Sequence, residues 1–203
     1  MPGDLPQGIL DKISATGFSF LEVVDTRDEL TPVLVARYVT QLYPQDGRRD
    51  VIIDHEEPNL HSKINEEWER AATECGLFSV TGDGEREFLI GIDISVDVPD
   101  EPEFNSYRWV RVSLSEGWDI AGAGCESGLL GTGRNNPTFA MMSVSGEVVM
   151  IAGYWQIGIG FGIASHPEKI LKLREHAKRI ASYAHIESAQ RNWAERWLLN
   201  LNT

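Results

Sequence analysis

The chain is poor in basic residues and in cysteine. Its 203 residues hold 18 Lys and Arg against 31 Asp and Glu, a formal net charge of -13. Nucleic acid binding rests on neutralising phosphates with Lys and Arg, so no nucleic acid partner is expected. An anionic membrane surface is disfavoured for the same reason. Two cysteines, Cys75 and Cys125, are too few for a disulfide scaffold and make no CxxC pair. A reduced, cytoplasmic setting is the expectation. The opening MPGDLPQGILDK has no basic stretch followed by a long apolar core, so no signal peptide is expected. No internal repeat or low-complexity tract divides the chain.

Motifs of common chemistries are missing too. There is no HExxH, no GK[ST] ending to a glycine loop and no GxSxG elbow. No cofactor is expected.

What is present is a long apolar stretch, Thr138 to Ala164, in which Glu147 is the only charge. Ser145-Gly146 suits a hairpin turn. Beyond it, Ile157, Ile159, Phe161 and Ile163 alternate with Gln156, Gly158, Gly160, Gly162 and Ala164. That period predicts a strand with an apolar face and a glycine face, onto which a helix can pack closely. The glycines and the polar helix that follows argue for sheet rather than a membrane span.

Other strands are expected at Phe18 to Val24, Asp50 to Asp54, Phe88 to Val98 and Tyr107 to Leu114. In the Phe88 strand, Phe88, Ile90 and Ile92 face the core and Leu89, Gly91 and Asp93 face outward. Pairing Val98 with Ser106 would put Asp93 opposite Arg111, Ser95 opposite Trp109 and Asp97 opposite Tyr107.

Helices are expected from Leu5 to Thr16, from Thr26 or Thr31 to Tyr43, and from Asn59 to Gly76. Ser165 and Glu168 have capping-box spacing for a C-terminal helix. Its two apolar stripes, Ile170 to Ala184 and Ile186 to Trp197, are out of register and predict a break near His185. The fold class is α+β: residues 1–203 as one domain, a mostly antiparallel twisted sheet of about five strands, and N- and C-terminal helices mainly on one face.

Tyr107, Trp109 and Arg111 share one face of a strand and are residue types enriched in interface hot spots. With Asp93 and Asp97 beside them, they form the expected binding face. Together with the charge, this points to an acidic module that masks a basic protein partner, as inhibitors, immunity proteins, antitoxins and acidic chaperones do. The alternative is a small-molecule enzyme or binder built on the glycine-rich loop 115–137, with Cys125 and Glu126 near a pocket. Glu126 beside the thiol would raise its pKa, against a nucleophilic role. Asp54, His55, Glu57 and His61 are of metal-ligand type, but they also mark an ordinary helix start, and their spacing matches no structural metal site. No metal is expected.

Overall fold

Eight strands form one antiparallel sheet in the computed structural model, which describes residues 5–24, 27–94 and 107–201. They are β1 (Phe18–Val24), β2 (Arg48–Ile53), β3 (Ser79–Val80), β4 (Arg86–Asp93), β5 (Tyr107–Leu114), β6 (Ala140–Met142), β7 (Val148–Trp155) and β8 (Gly158–Ser165). Their order is β1-β5-β4-β6-β7-β8-β2, and β3 pairs with β4. The sheet is larger than the five strands expected. Two of the extra strands, β3 and β6, are two and three residues long and carry little periodicity.

Helices cover both faces, not mainly one. On one side lie α1 (Gln7–Ala15) and α3 (Leu60–Cys75), which pack with Phe18, Phe88, Val110 and Val112. On the other lie α2 (Val33–Arg37), α4 (Leu171–Ser182) and α5 (Ser188–Asn200), which pack with Leu89, Trp109, Val149 and Ile151. Leu89 and Trp109, expected to face outward on β4 and β5, therefore face a second core.

Local chemistry places most of these elements. Gly17 at φ 80° stops α1, and Gly76 at φ 76° stops α3. The second helix starts at Thr31-Pro32, with Pro32 as its cap residue. The C-terminal helical region breaks between Ser182 and Ser188, around His185, as its two stripes require. The expected capping box fails. Strand β8 runs through Ser165, His166 takes the left-handed region at φ 51°, and α4 starts only at Leu171.

The β4–β5 register differs from expectation by four residues. Asp93 lies opposite Tyr107, Gly91 opposite Trp109 and Leu89 opposite Arg111. An even offset keeps every side chain on its expected face. Asp97, Ser95, Val98 and Ser106 lie outside the described residues. At the outer edge, β1 carries a register shift between Phe20 and Glu22.

The glycine face of β8 is covered, at Gly160 by an aromatic ring rather than a helix. Gly160 pairs with Gly153, and a Cβ on Gly160 would overlap the Trp155 ring. The Trp155 indole lies along this bare strip, and the Arg48 guanidinium stands 5.1 Å from its ring centroid. Arg48 is itself held by Asp50 at 2.7 Å and by the Thr40 carbonyl at 2.9 Å.

Candidate functional site

The expected binding face is closed at its centre. Trp109 is 0% exposed, and its indole N–H donates to the Thr31 carbonyl at 2.8 Å. It belongs to the buried cluster that holds Leu30, Val33, Trp193 and Trp197, so it is a core residue and not a surface anchor. Arg111 is partly exposed but committed to Glu87 and, at 3.0 Å, to Glu22. Tyr107 is half-buried and bonds to Asp93.

The two residues of the alternative site have different surroundings. Cys125 is buried, and burial pushes its thiol up to about 12, with Asp119 and Glu126 adding to the rise. A thiol held protonated is a poor nucleophile. Glu126 points to solvent and pairs with Arg134 at 3.3 Å.

Loop 115–137 is built rather than loose. Asp119 caps a five-residue π-helical turn, Ile120–Gly124, with its carboxylate. That carboxylate accepts from the Gly122 and Ala123 amides at 2.9 and 3.2 Å and from Asn65 Nδ2 at 2.8 Å. Burial alone would push the Asp119 carboxyl up. These donors, with His61 beside it, outweigh burial and hold it below the usual carboxylate range.

The four residues of metal-ligand type separate. His61 Nε2 sits 3.1 Å from Asp119 Oδ1. His55 instead stacks on Tyr154 at 4.3 Å between centroids and donates from Nε2 to the Trp155 carbonyl at 3.2 Å. Asp54 accepts from the Glu56 amide at 2.9 Å. Among the described residues no group of three or more His, Cys, Asp or Glu is placed to hold a metal ion.

A surface that the sequence reading missed lies at the end of the β7–β8 hairpin. Gln156 and Ile157 connect the strands, and Trp155 pairs with Gly158. Neither connecting residue has a positive φ; Gly158, at φ 150°, does. Ile157 is 68% exposed, Tyr154 60% and Ile52 on the neighbouring strand 45%. Tyr154 and Ile52 sit on opposite faces of the sheet, by their pairings with Ile159 and Gly160. The tip is therefore an apolar knob.

The His55 stack brings the loop after β2 against this knob. Asp54 and Glu56 are exposed on that loop and Glu57 is partly so, and none of the three forms an ion pair among the described residues. An apolar centre with a polar rim is the arrangement found in protein interfaces. The signal was present in the sequence. The span from Glu147 to Ala164 is too long for one strand, and Gln156 is the polar residue that marks the second turn.

Comparison with known proteins gives no assignment: no protein-family model, curated protein or solved structure matches the chain.

Proposed function

We propose that the chain is a non-catalytic, acidic binding module that masks a basic protein partner, and that it does so through the β7–β8 tip rather than through Trp109. The observation that carries this reading is the knob of Ile157, Tyr154 and Ile52, exposed beside Asp54, Glu56 and Glu57. Large apolar side chains left exposed on both faces of one hairpin end support an interaction site. The knob supplies contact area, and Tyr154 is a hot-spot residue type. The surrounding acids and the net charge of -13 speed encounter with a basic surface. Both cysteines are free, which suits a reducing compartment, so the proposed setting is the cytoplasm. No helix among the described residues is long and apolar enough to cross a membrane.

Affinity purification at low salt, with parent and variant chains side by side, tests the proposal. A basic protein retained by the parent should be lost with Ile157→Ser and Tyr154→Ala. Ile157→Ser should melt like the parent, because that side chain faces solvent, whereas Tyr154→Ala also removes the stack on His55 and should melt slightly lower. Retention by both variants would place the interface elsewhere.

A further inference from the structure

A second site lies across the sheet, where two neighbouring strands part. The β4–β6 ladder consists of Leu89 opposite Met142 and Ile90 opposite Met141. Past Ile90 a cleft of about 300 Å³ opens, lined by Asp93, Tyr107, Arg37, Lys12, Thr132 and Thr138 among others. That volume is at the lower end for ligand pockets, enough for a small molecule. The cleft draws on α1, α2, β4, β5 and the glycine-rich loop, and no single sequence motif spans them.

Among the described residues its lining carries two cations, Arg37 and Lys12, and one carboxylate, Asp93, in a chain of net charge -13. Arg37 is not loose: its guanidinium lies 5.1 Å from the Tyr107 ring centroid. Neither Arg37 nor Lys12 forms an ion pair among the described residues. Tyr107 is fixed from its other end by the hydrogen bond to Asp93, and burial, with Asp93 adding, raises its hydroxyl pKa so that it stays a donor. An ionised carboxylate offers about four lone-pair sites, so Asp93 can bond Tyr107 and still accept from a ligand.

We propose that this cleft binds a small zwitterion of the amino-acid type, its carboxylate held by Arg37 and Lys12 and its ammonium by Asp93. Guanidinium–carboxylate bonding is charge-assisted and geometrically specific. Thr132 and Thr138 add hydroxyls that can bond a polar side chain. The negative Asp93 disfavours a multiply charged phosphate, and the loop lacks the GK[ST] ending that cradles one.

Titration calorimetry on the whole chain tests this, with L-glutamate, L-serine and L-leucine as amino acids, glutarate as an acid without ammonium, and inorganic phosphate. The expected result is saturable binding of at least one amino acid, with glutarate and phosphate about tenfold weaker or more. Arg37→Met and Asp93→Asn should each weaken the amino acid by about tenfold or more. Lys12→Met, on an exposed position, should weaken it too without disturbing the fold. Ile157→Ser should bind it like the parent, which separates this site from the hairpin tip. No amino acid binding at millimolar concentration overturns the proposal. So does equal or tighter binding of glutarate or phosphate, or unchanged affinity in the folded Lys12→Met and Asp93→Asn variants.

Discussion

Trp109 carries its weight as a core side chain. It belongs to the core shared with α2, α4 and α5 and satisfies its indole N–H on Thr31. Trp109→Ala should therefore cost about 3–5 kcal/mol, measured as the shift in the denaturant midpoint. Gly160 bears the Trp155 ring where a side chain would stand. Gly160→Val should displace that ring, destabilise the fold by about 1–3 kcal/mol and alter indole fluorescence. His176 stacks on Tyr38 at 3.9 Å. Burial, with Arg179 adding repulsion, lowers its pKa to about 4. An unfolded histidine titrates near about 6.5. Between those values the folded state binds fewer protons than the unfolded one. The stability tied to neutral His176 is thus full above about pH 6.5 and is lost as pH falls toward 4. The ring is only half-buried, so solvent screening limits the loss to roughly 1–2 kcal/mol. Melting curves across that interval should be flatter for His176→Phe than for the parent.

Elements with one strong local signal were legible in the sequence. Strands Phe18–Val24 and Tyr107–Leu114, the helix between Asn59 and Gly76, and the break near His185 all appear where periodicity and capping residues put them. The second apolar face was misread. Leu89, Trp109, Val149 and Ile151 alternate with an equally apolar set, and period two alone does not tell a solvated face from one covered by helices. Trp109 was misplaced for that reason: it has interface chemistry and core geometry. Asp119 was invisible because its meaning depends on Asn65, fifty-four residues away, and on the amides of a π turn. Removing that carboxylate would leave two loop amides and Asn65 without their acceptor. Asp119→Ala should cost about 1–3 kcal/mol and raise hydrogen exchange in residues 119–124, while Cys125 stays unreactive until global unfolding.

At the scale of the whole molecule, charge and shape act on different steps. The field of a -13 chain acts over roughly 8–10 Å at physiological salt. Glu56→Gln should therefore slow association and weaken its salt dependence. Ile157→Ser should instead speed dissociation. Surface-binding kinetics at low and high salt separate the two. Folding draws on two apolar cores, one on each side of the sheet. A chelator should leave the thermal transition where it is.

The two outermost strands bear on what happens when many copies meet. A sheet that ends in straight, bare strands is a template for end-on growth. Here β1 interrupts its own ladder between Phe20 and Glu22, and β2 begins with Arg48, Arg49 and Asp50. An incoming chain would meet a broken hydrogen-bond row on one border and fixed charges on the other. The sheet is in effect a tile with finished edges, and concentrated solutions should stay free of fibrils where a variant straightened at Phe20 to Glu22 would not.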